Sequence, residues 1–250
     1  MSFLLEVCAD SVQSAAAAQE GGADRIELCS GLVIGGISPS PAMFREVKRN
    51  IDIKVRVLLR PRFGDFCYDE YEFRTIRDEV EQFRDLGADG VVIGILNPNG
   101  TLNVEQMAEL VKAAGGIGVT MHRAFDLCRD PFEALEQCVS LGIDTILTSG
   151  QKSSAWEGRE LLSELAERAA GRLDILAGAG IGPDVIEKLA VCTGVKAFHM
   201  SGKKVVDSRM EFRREGVPMG IPGFREFDIW QTDKGQIRSA AKVIRRLENS

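Results

Sequence analysis

A fourfold recurrence constrains this chain more than any other feature. The phrase GADRIELCSG, starting at Gly22, joins a glycine turn, an acidic residue, a short apolar run and a small-residue turn. It returns as GADGVVIG from Gly87, GIDTILTSG from Gly142 and GVKAFHMSG from Gly194. The steps are 87 − 22 = 65, 142 − 87 = 55 and 194 − 142 = 52 residues, too long for one β-α unit and right for two. A glycine, a polar residue and an apolar run in that order predict a helix that ends on a left-handed glycine and feeds a buried strand. Four such strands two units apart imply eight, the count of a closed (β/α)8 barrel. The length of 250 residues fits one such domain.

The remaining units fall between these markers. Strands are predicted over 3–8, 25–29, 54–60, 90–96, 118–123, 145–149, 173–177 and 197–201. Asp10 is placed as the cap of an alanine-rich first helix. Ser40–Pro41, Asn103–Gln106, Asp130–Pro131 and Gly182–Pro183 open later helices. Helices are also expected over 73–86, 157–170 and 234–247, and 203–233 reads as a long irregular segment, a lid or an interface. Alternating strands and helices at this spacing make the fold α/β, a single-domain TIM barrel over residues 1–250.

Composition narrows the function. A net charge of −6 excludes the basic face that nucleic acid requires. No apolar run is long enough for a membrane span, and the first ten residues lack a signal-peptide pattern. Six cysteines without a CxxC pair predict a reduced, cytoplasmic setting. HExxH, GxSxG and P-loop motifs are missing, and GAGIG follows strand seven rather than a first strand, so no organic cofactor is expected.

Function in a barrel sits at the C-terminal ends of its strands. Strand one, LEVC, puts Glu6 and Cys8 on one side, and strand two, IELC, does the same with Glu27 and Cys29. Two carboxylates and two thiols then face one cavity. Strand three adds Arg56 and Arg60, and the only histidines, His122 and His199, fall near the ends of strands five and eight. The bland alternative is a buried ion network filling the barrel. Cys8 and Cys29, on strands about 4.8 Å apart, are candidates for one soft ion such as Cu(I) if barrel stagger permits. Cys138 and Cys192 read as helix packing, and Cys67 and Cys128 as loop residues open to solvent. Gly178, Gly180 and Gly182, with Ser201 and Gly202, occupy the place where many barrels cradle a phosphate. An enzyme reading follows: anion at the glycines with Arg60 as a further anchor, Glu27 or Glu6 as base, and His122 as acid or electrophile, in an isomerase- or lyase-type proton transfer on a small phosphorylated or carboxylated metabolite.

Across LEVCADSVQSAAAAQEGGADRIELCSGL, RVLLRPRFGDFCY, TMHRAFD, LTSG, ILAGAGI and FHMSG the chain resembles the CutC family, from residue 4 to about 220. The resemblance implies a cytoplasmic TIM barrel named for copper homeostasis, a homodimer, and Cys8 and Cys29 as the copper candidates. It supplies no reaction. The chain also lacks the exposed, sulfur-rich motif expected of a copper carrier.

Overall fold

The computed structural model describes residues 3–214, 216–217, 219–220 and 223–249. Eight strands run β1 (Leu4–Ala9), β2 (Arg25–Leu28), β3 (Lys54–Leu58), β4 (Gly90–Ile93), β5 (Gly118–Met121), β6 (Thr145–Thr148), β7 (Asp174–Ala177) and β8 (Ala197–Met200). Each pairs in parallel with the next, and β8 closes on β1. Between them lie α1 (Val12–Gly21), α2 (Pro41–Asn50), α3 (Glu70–Asp85), α4 (Val104–Ala114), α5 (Pro131–Ser140), α6 (Arg159–Ala169) and α7 (Pro183–Thr193), with α8 (Lys234–Glu248) last.

The repeated phrase does what its composition requires. Gly22, Gly87, Gly142 and Gly194 all take positive φ, from +71° to +98°, which a Cβ would disfavour. The acid two residues later then fastens the neighbouring strand. Asp24 accepts from the Leu5 N–H at 2.7 Å, Asp89 from Val55 at 2.9 Å and Asp144 from Val119 at 2.8 Å.

Alternation along the strands divides the molecule into two layers. Val7, Ile26, Val57, Ile93, Ile146 and Phe198 face outward and pack with helix residues such as Phe44, Phe83, Leu110 and Leu189 into the main apolar core. Barrel interiors are usually filled by Val, Ile and Leu, but here the inward set includes Glu6, Arg25, Glu27, Arg56, Thr120, Thr145 and His199, all buried or nearly so. Glycine provides the room. A Cβ on Gly118 would lie 2.5 Å from the Arg56 guanidinium, and one on Gly94 would lie 2.6 Å from the His122 ring.

Some expectations need correction. Ser11, not Asp10, caps α1 through the Ser14 N–H, while Asp10 accepts from Leu32 N–H one loop away. α3 begins three residues earlier than residue 73, because Asp69 and Glu72 form a capping box. The regular strands end at Leu58, Ile93 and Met121 rather than at 60, 96 and 123, with one further bond each from the Leu59 N–H to the Val92 carbonyl and from the His122 N–H to the Ile93 carbonyl. The 203–233 segment is not wholly irregular. β9 (Lys203–Asp207) and β10 (Asp228–Thr232) form an antiparallel ribbon, tied at its base by Thr232 N–H to Ser14 Oγ and Asp233 N–H to the Gly202 carbonyl. Residues 215, 218, 221 and 222 of that segment lie outside the described residues. Cys192 is exposed rather than packed, and Cys128 is buried rather than open. Among the described residues no helix is long and apolar enough to cross a membrane.

Candidate functional site

Barrel stagger decides who meets whom. Although LEVC and IELC are near copies, β1 and β2 pair two residues out of step, Glu6 with Arg25 and Cys8 with Glu27. Across the closing seam Glu6 pairs with His199. The Glu6 carboxylate is thereby held from two sides: Arg25 Nε donates to one oxygen, and His199 Nδ1 lies 2.8 Å from the other. The far side of the same imidazole, Nε2, lies 3.7 Å from Glu27 Oε2. One histidine thus bridges two buried acids.

The two acids are driven apart. Burial would raise the Glu6 carboxyl, but Arg25, His199 and Arg56 outweigh it and hold it at about 2. Glu27 lacks such a clamp. Burial dominates there, the neighbouring Glu6 charge adds to it, His199 and Arg25 only partly oppose it, and the carboxyl is pushed up to about 7. Burial works against a charged His199, yet Cys8, Glu27 and Glu6 together raise it well above the ordinary imidazole value. Near neutrality Glu6 is a fixed anion, His199 a cation, and Glu27 the group poised to carry a proton. Arg56 closes the interior below, bonded to Thr120, Thr145 and Asp144.

Above this cluster opens a mouth cavity of about 370 Å³, lined by Cys8, Glu27, His199, Arg60, His122, Phe66, Arg123 and Asp126, with Leu32, Ile34, Leu58, Leu127 and Leu147 as its apolar share. Arg60 is about nine-tenths buried and, among the described residues, forms no ion pair with a carboxylate. Its guanidinium donates to the carbonyls of Gly36 at 3.2 Å and Gly64 at 2.6 Å, with Gly35 at 3.5 Å, and stands over the Phe66 ring. Gly36 has φ +86°, and a Cβ there would meet Leu58 at 2.7 Å, so the turn that offers these carbonyls requires glycine. His122 Nδ1 accepts from the Ala124 N–H at 3.2 Å, which leaves the ring hydrogen on Nε2. Burial and the Arg60 charge push this imidazole down to about 3. His122 is therefore a neutral hydrogen-bond donor, which favours the electrophile over the acid.

The sequence-derived site divides accordingly. Cys8, Glu27, Arg60 and His122 meet at the cavity, while Glu6 stands behind it and shapes Glu27 through His199. Cys29 is not in the lining. It is sealed against Leu58, Val92 and Leu32, and its thiol donates to the Ala9 carbonyl. Gly178, Gly180, Gly182, Ser201 and Gly202 do not line the cavity either. A Cβ on Gly178 would strike Leu147 and one on Gly202 would strike Ile237, so both are packing glycines, and Gly182 opens α7. Two partners were missed. Arg25 shares the inward face with Glu27 two residues on, and strict alternation could have found it. Asp126 accepts from Thr148, Ser149, Gln151 and Arg123 and braces the LTSG turn; its role depends on a loop path that no spacing encodes.

A Cu(I) site needs soft, deprotonated thiols that face each other. The Cys8 thiol donates to the Met200 carbonyl and the Cys29 thiol to the Ala9 carbonyl, both at 3.7 Å, and burial, with Cys8 close by, raises the Cys29 thiol well above its usual range. Among the described residues no group of three or more His, Cys, Asp or Glu side chains is arranged to hold a metal ion.

Fold and interior together define a (β/α)8 barrel with a buried polar cluster opening at the strand C-termini. Within that class the chain belongs to the CutC family, whose family model matches residues 3–204. A CutC family protein of Bacteroides fragilis is 49% identical over 222 residues, 88% of each chain. One from Bacteroides thetaiotaomicron is 46% identical, covering 98% of this chain and 97% of its own. The crystal structure of a Streptococcus agalactiae protein, described as a candidate copper homeostasis protein CutC, superposes with a TM-score of 0.76 at 30% identity, over 80% of this chain and 98% of that one. A phosphoribosylanthranilate isomerase from Thermotoga maritima shares the fold alone, with a TM-score of 0.59 at 14% identity over 98% of this chain and 100% of that one.

Proposed function

We propose that the mouth cavity is the active site of an enzyme that moves a proton on a small oxygenated metabolite, in an isomerase- or lyase-type reaction. The observation that carries this reading is the separation of two buried carboxylates across one histidine, with Glu6 held at about 2 and Glu27 at about 7 beside a ligand-sized cavity. Glu27 takes a proton from a ligand carbon next to a carbonyl. The electron pair moves onto the carbonyl oxygen, where the neutral His122 Nε2–H donates. The His199 cation stabilises the ionised Glu27 before transfer, and Glu6 keeps His199 charged and oriented. Return of the proton to another carbon completes an isomerisation; loss of a neighbouring leaving group completes a lyase reaction.

The copper role described for the Streptococcus relative would call on Cys8 and Cys29, whose separate carbonyl bonds and sealed second thiol favour the metabolite reading instead. The reading suits a reducing cytoplasm, since all six cysteines are free thiols.

The test is proton NMR in D2O with a panel of small aldehydes, ketones and hydroxy acids. Wild type is expected to exchange the hydrogen next to a carbonyl for deuterium, and Glu27→Gln to slow that by roughly a hundredfold or more. No exchange with any compound, together with tight one-to-one Cu(I) binding lost in a Cys8→Ser/Cys29→Ser variant, would overturn it.

A further inference from the structure

Buried polar atoms in folded proteins nearly always find partners, so the exceptions mark unfinished business. Among the described residues, five buried side-chain polar atoms have none: Arg25 Nη2, Arg60 Nε, Tyr68 Oη, His122 Nε2 and Gln137 Oε1. Three of the five belong to one neighbourhood. The Arg60 guanidinium and the His122 imidazole flank the same Phe66 ring, at 4.8 Å and 4.7 Å from its centroid. The Tyr68 phenol, two residues beyond Phe66 on the same loop, stands within the field of Arg60 without a well-formed hydrogen bond, next to the residues that line the cavity but not itself among them. All three groups are donors: an N–H that cannot be lost, a neutral imidazole N–H and a phenolic O–H.

We propose that Arg60, Tyr68 and His122 form an oxyanion pocket that takes the carboxylate of a monoanionic ligand. It rests on the reading of the mouth cavity as a ligand site, with the one His122 N–H shared between the carboxylate and the carbonyl oxygen beside it, and is independent of whether Glu27 moves a proton. An oxyanion entering beside Arg60 displaces the half-buried Phe66 ring, whose face is a weak acceptor, and receives hydrogen bonds that the ring cannot accept. Charge selects the ligand class. Arg60 is the one charged donor of the three and the other two are neutral, so the trio itself matches one negative charge. Most of the guanidinium's reach is also spent on the Gly35, Gly36 and Gly64 carbonyls, leaving too few N–H groups to surround a phosphate. The volume of about 370 Å³, at roughly 30 Å³ per water-sized group, admits on the order of a dozen heavy atoms. The apolar leucines leave space for a carbon chain. The ligand is a small hydroxy- or oxo-monocarboxylate.

The experiment is calorimetric titration of the full chain with glycolate, lactate and gluconate, and with neutral sorbitol and inorganic phosphate as contrasts. At least one monocarboxylate is expected to bind while sorbitol and phosphate do not. Arg60→Gln should weaken it by roughly ten- to a hundredfold, as for loss of a charged hydrogen bond. Tyr68→Phe, which removes a hydroxyl without a well-formed hydrogen bond and keeps the ring under Arg62, should weaken it by about tenfold. Phosphate binding more tightly than every monocarboxylate, or affinities unmoved by Tyr68→Phe and Arg60→Gln, would overturn the assignment. Carboxylate binding that survives Glu27→Gln while no exchange into D2O is seen with wild type would sink the proton-transfer reading and leave the pocket standing.

Discussion

Replacing Glu27 by glutamine should stabilise the fold, and do so far more at pH 8 than at pH 5. Glu27 is buried with its carboxyl pushed up to about 7 from an ordinary 4.5. Below pH 4.5 the carboxyl is protonated whether the chain is folded or not, and the raised value costs nothing. As pH climbs from 4.5 to 7 the unfolded chain ionises while the folded one resists, so the cost grows until it levels off above 7. With a pKa unit equivalent to about 1.4 kcal/mol, the full cost is about 3 kcal/mol, of which about 2 kcal/mol or slightly more arises between pH 5 and 8. Glutamine keeps the shape and cannot ionise, so the variant escapes this cost. Part of the gain is returned because the His199 cation loses Glu27 as a partner. The assay is equilibrium urea unfolding of wild type and Glu27→Gln at the two pH values, supported by thermal midpoints, where the pH-dependent gap should be roughly 4–8 °C in a chain of this size. An advantage of equal size at both pH values would mean that Glu27 titrates as an ordinary carboxylate, and the acid–base assignment would fall with it.

Glu6 has the opposite sign. Its lowered carboxyl contributes stability that is present above pH 4.5 and is lost as pH falls toward 2, so Glu6→Gln at neutral pH should cost roughly 3–5 kcal/mol by stranding Arg25 in the barrel. In urea unfolding the double variant Glu6→Gln/Arg25→Met should recover most of that; a single-variant cost below about 1 kcal/mol would deny the clamp. With only two histidines in the chain, imidazole NMR can follow both rings directly. Between pH 5 and 8 His122 is expected to keep neutral shifts and His199 charged ones, and two rings titrating together near the ordinary imidazole value would contradict the site.

Much of the architecture is written locally. The glycine-acid-apolar phrase specifies a positive-φ helix end and a buried strand, and its spacing counts eight of them. Proline after a capping residue at Pro41, Pro131 and Pro183 fixes helix starts. Strand alternation likewise announces that Glu6, Glu27 and Arg56 point inward, because a two-residue period needs no knowledge of neighbours. The capping box at Asp69 is equally local, though the long loop before it conceals it, whereas the ribbon at the ends of 203–233 pairs residues too far apart in sequence for local pattern to announce it.

Partnership is another matter. Nothing in LEVC or IELC says that Glu6 will sit beside Arg25 and Cys8 beside Glu27. That two-residue offset follows from strand tilt, a property of the closed sheet as a whole. The same stagger turns the two thiols to different carbonyls, and brings His199 from the far end of the chain between two glutamates. Loop paths place Phe66 against Arg60 and His122, and keep the glycines after β7 out of the cavity lining. The sequence by itself determined the barrel and the residue types in its interior, since both depend on backbone conformation and on hydrophobic period. Only the tertiary structure decided which acid is clamped and which is free to titrate, because a pKa is set by burial and by charges a few ångströms away, and those neighbours come from opposite ends of the chain.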